Sequence, residues 1–381
     1  MNEPRRFIQV IAGPRQVGKT TLVTQVLQDL PFPGHYATAD GSISTGSAWI
    51  SEQWEVARIM QRQNPSSDLV LVLDEIQKIE NWSEVVKKEW DMDSLQKISL
   101  KVILSGSSRL LIQQGLSESL AGRFELIYLG HWSYHEMNSA FGITSEQFVW
   151  FGGYPGSAPI MDEESRWKQY ISDSIIETSI SKDILMLTRI ERPALLRRLF
   201  DFGCAYSGQI LSYTKILGQF NASGNTTTLS HYLDLLSQAG LLTGIEKFSP
   251  NLVRKRSSSP KFLIYNTALI SARRHESFQA IRQESDAWGR LIESAVGAHL
   301  LNHAASEGYS VFYWRDRNDE IDYVIEKQGK VIAIEVTAGS GHKQSGMKAF
   351  QIKFNPEKVL LIGKSGIPWE TFINLNPGEL F

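Results

Sequence analysis

Cysteine is nearly absent: the 381 residues contain one, Cys204. A single thiol cannot close an internal disulfide, and no Cys/His pairs stand at zinc-site spacing, so the chain suits a reducing cytoplasm and a fold held by its core. Long apolar runs are missing too. Nowhere do roughly 18 apolar residues follow one another, and the apolar part of MNEPRRFIQVIAG is too short for a signal-peptide core, so a soluble, cytoplasmic protein with no membrane contact is expected. Neither sign of charge dominates. Thirty-nine Lys and Arg stand against 41 Asp and Glu, a net charge of -2, so no global positive field draws the chain onto nucleic acid and any such contact is local. Internal repeats and low-complexity tracts are also absent. What remains is an ordinary globular composition, 42% hydrophobic, 21% charged and 10% aromatic, which excludes disordered and fibrous classes. At about 150 residues per domain the chain holds two or three domains.

Up to about residue 130, short β-type runs alternate with helix-length amphipathic stretches, the pattern of a parallel sheet covered by helices. The strand candidates are residues 7–11, 35–38, 69–73, 102–104 and 126–129. A turn-rich stretch, FGGYPGSAP, places a domain seam nearby. A helix is expected from Trp167 to about Leu187. Two further helix patterns, LSYTKILGQF and TTTLSHYLDLLSQAGLL, followed by the β run TGIEKFSP, suit a winged helix-turn-helix. The last 120 or so residues offer a helix around Trp288 to Leu301, then the strands VFYWR, EIDYVIEK and KVIAIEV, a helix near Lys348 and the strand KVLLIG. The expected divisions are residues 1–135 for a nucleotide-binding α/β domain, 136–190 for a helical linker, 191–250 for a winged-helix-like domain and 251–381 for a smaller α/β domain.

The segment Gly13-Pro14-Arg15-Gln16-Val17-Gly18-Lys19-Thr20, followed by Thr21, fits the Walker A pattern. The strand FIQVIA precedes it and TLVTQVLQDL follows with helical spacing, so loop N–H groups and a helix N-terminus converge on an anion. Lys19 then reaches the β- and γ-phosphates of ATP, and the Thr20 hydroxyl is a ligand for Mg2+. The second expected metal ligand is Asp74, which emerges at the end of the apolar strand LVLVL, where ligands of parallel sheets collect. Glu75 next to it is the candidate general base for an attacking water. The strand KVILSG ends in Ser105, Gly106 and Ser107, where a hydroxyl either senses the γ-phosphate or caps the next helix. In LAGRF, Arg123 is either an arginine delivered to the γ-phosphate of a neighbouring subunit, which requires an oligomer, or an ordinary surface ion pair.

The ordered set GPRQVGKTTL, LDEIQKIENW, SGSS and LAGRFELIYLGHWSYHEM resembles the AAA+-type P-loop ATPases of bacteria and archaea that carry a poorly characterised C-terminal domain. GGYP, the winged-helix-like region, WRD and EIDYVIE extend that resemblance over nearly the full chain. It implies Gly13, Gly18, Lys19 and Thr20 as nucleotide residues, Asp74 and Glu75 as the Walker B pair and Arg123 as the arginine acting in trans. Members usually carry a further segment before the Walker A strand, whereas here the loop begins at residue 13, so adenine contacts from such a segment are not expected.

Glu293, Asp322 and Glu335 resemble, in order and spacing, the metal-binding core of restriction-endonuclease-like nucleases. That pattern wants a lysine two residues after the second acid, and Thr337 stands there, unable to supply positive charge unless Lys343 or Lys348 folds back. The domain is therefore either an inherited fold with lost activity or an ATP-regulated, metal-dependent nuclease. The helix TTTLSHYLDLLSQAGLL contains no Lys or Arg and includes Asp234, which makes it a poor reader of base edges. Arg254, Lys255, Arg256, Lys261, Arg273 and Arg274 lie in a stretch without an acidic residue. Such a patch either neutralises DNA phosphates without reading sequence or is solvated loop charge. Trp49, Trp54 and Trp82 read as packing or surface aromatics rather than a stacking platform. The sequence thus favours an ATP-hydrolysing protein whose nucleotide state controls contact with DNA or a protein partner. A nucleotide-gated scaffold with negligible hydrolysis is the competing class.

Overall fold

A computed structural model describes residues 3–40, 46–64, 67–106, 116, 119–185, 189–220, 225–249, 258–337 and 344–381. The chain divides into two compact units, Met1–Leu129 and Gly130–Phe381.

The first unit is built on five strands: β1 Ile8–Ala12, β2 Gly34–Thr38, β3 Leu69–Asp74, β4 Leu100–Gly106 and β5 Phe124–Tyr128. They form one all-parallel sheet in the order β2-β3-β4-β1-β5. β3 and β4 are buried at every position, as expected of central strands covered on both faces. One face carries Val10, Leu71, Leu73 and Leu104 against Trp49, Trp54, Trp82 and Trp90 of helices α2 (Ala48–Gln63) and α3 (Trp82–Gln96). The other carries Ile11, Val70, Val72 and Ile103 against Val23 and Leu27 of α1 (Lys19–Asp29). Alternate residues of one strand serve opposite cores because the side-chain period of a strand is two. Trp49, Trp54 and Trp82, read from sequence as packing or surface aromatics, are buried there, Trp54 completely. β1 and β3 are neighbours of β4 on either side, so the turns that leave them open along one sheet edge.

The second unit begins with α4 (Tyr134–Phe141) and α5 (Ser145–Phe151). Each starts with a reciprocal capping box, Ser133 with Glu136 and Thr144 with Gln147. The turn-rich stretch after α5 lies within this unit. Gly152 has φ +69, and a Cβ there would stand 1.9 Å from Asn266 Oδ1, so no larger residue fits the turn. Helix α6 (Glu164–Tyr170) continues as π-helix through Ile171–Glu177 and Ser179–Leu185 rather than as the regular helix expected.

Then come α7 (Pro193–Ala205), α8 (Tyr213–Phe220) and α9 (Thr226–Gln238), and the antiparallel strands β6 (Leu242–Lys247) and β7 (Lys261–Ile264). Leu229, Leu233 and Leu236 of α9 are core residues. Helix α10 (Ser285–Glu307) leads into β8 (Ser310–Asp316), β9 (Asp319–Lys327) and β10 (Lys330–Thr337), then α11 (Gln344–Phe354) and β11 (Lys358–Gly363). β6 also pairs in parallel with β8, so the hairpin joins a six-stranded sheet ordered β11-β10-β9-β8-β6-β7. Gly297 lets α10 lie close on that sheet: a Cβ there would meet Tyr323 Oη at 2.5 Å. Among the described residues, no helix is long and apolar enough to cross a membrane.

Candidate functional site

The loop between β1 and α1 carries the first group of expected residues. Gly13 passes so close to β5 that a Cβ would lie 2.1 Å from the Leu129 carbonyl oxygen. Gln16 and Gly18 take positive φ, 61 and 89, and left-handed residues of this kind turn successive N–H groups toward one concavity. Lys19, buried in the first turn of α1, donates from Nζ to the carbonyl oxygens of Gly13 at 3.0 Å and Pro14 at 2.7 Å. Its ammonium is thereby curled over the loop itself. Arg15, Gln16, Gly18, Lys19, Thr20, Thr21 and Glu75 line a concavity of about 250 Å³.

The sheet order brings the end of β3 to the same place. Thr20 Oγ1 donates to Asp74 Oδ2 at 3.1 Å, although 54 residues separate them. Tyr36 of β2 donates from its hydroxyl to the same carboxylate oxygen at 2.6 Å. Burial, followed by this bond to Asp74, pushes the Tyr36 phenol well above its ordinary value, so it stays protonated as a donor. Asp74 is 4% exposed and also accepts the Glu75 N–H on Oδ1 at 3.0 Å. Thr20 and Asp74 therefore offer adjacent hard oxygen ligands at the mouth of an anion-binding loop, a donor set that fits magnesium.

Glu75 stands in the left-handed region with φ 54 and opens a one-turn 3-10 helix, Ile76–Lys78. Its Oε2 accepts from Gln77 Nε2 at 2.8 Å and lies 3.5 Å from Lys78 Nζ. Lys78 is also paired with Asp40. Ser105 of β4 sits in register with Asp74 on one side and Ile11 on the other. It is fully buried, and its Oγ has no hydrogen-bond partner among the described residues. Ser107 lies outside them. Arg123 is held within its own unit by a two-pronged bond to Asp91, Nε to Oδ1 at 2.8 Å and Nη2 to Oδ2 at 3.0 Å. Tyr36, Gln77 and Lys78 had no sequence signal of their own beyond standing on or beside strands that were themselves legible.

In the second unit Glu293, Asp322 and Glu335 come together around a residue expected elsewhere. Lys261, read from sequence as part of a phosphate-contacting patch, is fully buried on β7. Its Nζ lies 2.9 Å from Glu293 Oε1 and 3.1 Å from Asp322 Oδ1. The misplacement has a physical cause: Lys261 opens the apolar strand KFLI, whose pairing with β6 carries it into the sheet. Asp322 Oδ2 accepts the Val336 N–H at 2.9 Å, and Glu335 Oε2 accepts the Asp322 N–H at 3.4 Å. Burial, ahead of the opposing pull of Lys261, pushes Glu293 up to about 7. Burial and the neighbouring Asp322 push Glu335 up to about 8. Burial works against the Lys261 ammonium, but Asp322 and Glu293 outweigh it and hold the lysine well above its ordinary value. No group of three or more His, Cys, Asp or Glu side chains is arranged to hold a metal ion among the described residues. Lys348 lies on α11, while Lys343, Arg254, Lys255 and Arg256 fall outside the described residues. Arg273 pairs with Asp201 at 3.2 Å.

Comparison with known proteins divides the chain in the same order. Residues 5–138 match a family described as AAA domain. Residues 144–279 and 288–375 match two families described as domains of unknown function, DUF8612 and DUF4143. An uncharacterized protein of Mycobacterium tuberculosis is 26% identical over 337 residues, 87% of this chain and 70% of its own length. One from Methanocaldococcus jannaschii is 22% identical over 366 residues, 90% of this chain and 78% of its own. Among solved structures, a Thermotoga maritima RuvB variant aligns with TM-score 0.33 and 18% identity, over 64% of this chain and 82% of that one. A structure on katanin self-assembly aligns with TM-score 0.25 and 18% identity, over 33% of this chain and 41% of that one. Structural likenesses this low carry no functional argument. The AAA-domain match covers the same part of the chain as the glycine-lysine loop and the strand that ends in Asp74.

Proposed function

We propose that this protein binds and hydrolyses ATP through its AAA+-type unit, and that its nucleotide state controls contact with DNA or a protein partner. The observation that carries the reading is the meeting of Thr20 and Asp74 at 3.1 Å beside the loop that holds Lys19. In P-loop NTPases the hydroxyl after the loop lysine and the Asp at the end of a neighbouring strand hold one magnesium, which requires the two to stand side by side. On binding, Lys19 exchanges the carbonyls of Gly13 and Pro14 for phosphate oxygens, so its charge moves from loop to substrate. Thr20 and Asp74 would hold magnesium, which when bound supplies compensation for phosphate charge. Glu75 orients a water toward the γ-phosphate and accepts its proton at the carboxylate. Arg123 acts on a neighbouring subunit's nucleotide only by leaving Asp91, so the trans role belongs to a homo-oligomer and competes with an existing bidentate pair.

For the C-terminal carboxylates the reading is a nuclease-like fold without cutting: Thr337 stands where the pattern wants a lysine, and the Lys261 ammonium sits between Glu293 and Asp322, where a metal cation would have to bind. One experiment tests both parts. Phosphate release is expected from the intact chain with ATP and magnesium, lost in Lys19→Ala and in Glu75→Gln, with Glu75→Gln still binding nucleotide. Plasmid DNA present in the same mixture stays uncut. Nucleotide binding with no phosphate release above background would replace this reading with a nucleotide-gated scaffold, and cutting abolished by Asp322→Ala would restore the nuclease.

A further inference from the structure

A general base at the end of a parallel strand must have its carboxylate aimed, and the turn after β3 offers that carboxylate a competing partner. Glu75 is followed three residues later by Lys78, whose ammonium lies 3.5 Å from Glu75 Oε2. A fully formed pair between them would draw the carboxylate out of the concavity that Glu75 lines. Two contacts restrain that collapse. Lys78 is drawn to Asp40. On the other side Gln77 Nε2 takes Glu75 Oε2 at 2.8 Å. Gln77 is 5% exposed and does not line the concavity. Its amide fixes the carboxylate from outside the nucleotide concavity, without entering it.

The backbone shows that this arrangement is built rather than incidental. Glu75 holds φ 54 and ψ 33, a left-handed conformation that strains a non-glycine residue. The Lys78 N–H closes the turn on the Glu75 carbonyl at 3.1 Å. A right-handed Glu75 would carry the chain away from this turn and break the register between Gln77 and the carboxylate.

We infer that Gln77 is a positioning residue for ATP hydrolysis: its buried amide holds the Glu75 carboxylate in the nucleotide site and off the ammonium of Lys78. The inference rests on the reading of Glu75 as the base. Its test is steady-state phosphate release by the full chain, with nucleotide affinity measured separately using a fluorescent ATP analogue. Gln77→Ala is expected to lower kcat about tenfold or more while KM and analogue affinity stay within about twofold, the signature of a lost transition-state contact. Gln77→Glu, nearly isosteric but unable to donate, lowers kcat likewise. Adding Lys78→Ala to Gln77→Ala removes the competing ammonium and recovers a large part of the loss, which damage to folding would not allow. Unchanged kcat in both Gln77 variants, or no recovery in the double variant, overturns the inference. Glu75→Gln in the same series separates the two failures. If it leaves turnover intact, the base assignment itself falls; if it abolishes turnover while the Gln77 variants remain active, only the role of Gln77 does.

Discussion

Glu335 is a carboxyl whose surroundings argue against its charge. It is 9% exposed, Asp322 stands beside it, and Lys261 is already engaged by Glu293 and Asp322. Its proton affinity rises from the ordinary 4.5 to about 8, through burial first and Asp322 second. Between those values the folded chain keeps a proton that the unfolded chain has released, so stability falls as pH rises. The contribution is complete below the unfolded value and is lost as pH passes through the folded one. Glu293, pushed up to about 7, acts in the same direction. In chelator, the urea midpoint of the second unit is therefore expected to drop between about pH 5 and about pH 8, and Glu335→Gln, which titrates nowhere, should make the drop shallower. Parallel pH dependences for the two proteins would show that Glu335 ionises as freely in the fold as outside it.

Helices α2 and α3 are joined by a buried polar contact inside an apolar interface. Asp93, with no exposure, accepts from Trp54 Nε1 at 2.7 Å and from Arg58 Nε at 2.8 Å, while Arg58 itself is 6% exposed. Asp93→Ala leaves the indole N–H without its acceptor and takes one of two buried carboxylates from Arg58, which keeps Glu89 at 2.8 Å, so a loss of about 1–3 kcal/mol is expected. Asp93→Asn keeps an acceptor for one of them and costs less; equal midpoints for Ala and wild type in urea would show the contact to be idle. The strands around this interface were legible because each is a short apolar run bounded by turns, and β3 ends one residue from its expected place. The choice of Asp93 over Asp91 was not. Both lie in the α3 sequence WSEVVKKEWDMDSLQ, and only the packing of α2 makes one of them an anchor and leaves the other to Arg123. Lys261 illustrates the same boundary. The basic run Arg254-Lys255-Arg256 stands a few residues upstream, which argues for a surface, whereas its neighbours in space come from α10 and β9, and pairings over such separations leave no local pattern. The Walker loop and the acidic pair were legible because their chemistry fixes residue type and spacing within one strand-turn-helix. Tyr36 and Gln77 escaped because a tyrosine on a strand and a glutamine in a turn have no single use.

For the whole molecule, a net charge of -2 means that attraction to DNA depends on where the positive residues stand. Lys261 is spent inside the second unit and Arg273 is paired with Asp201, so the proposed DNA contact is assigned to Arg254, Lys255 and Arg256 of that stretch. Each phosphate neutralised releases counterions and steepens the fall of log affinity with log salt by about 0.9 on duplex DNA. Replacing the three together by Ala should therefore reduce the slope by about 2.7 if each one meets a phosphate. The measurement is fluorescence anisotropy of a labelled duplex of arbitrary sequence, titrated at several salt concentrations without nucleotide, with ATP and magnesium on the Glu75→Gln background, and with ADP. If nucleotide state governs the contact, the affinities at fixed salt differ between the ATP-held and ADP-held forms, and the triple substitution abolishes that difference along with the slope. A slope unmoved by the triple substitution would take DNA away from this segment, and identical affinity in all nucleotide states would leave ATP turnover to act on a protein partner instead.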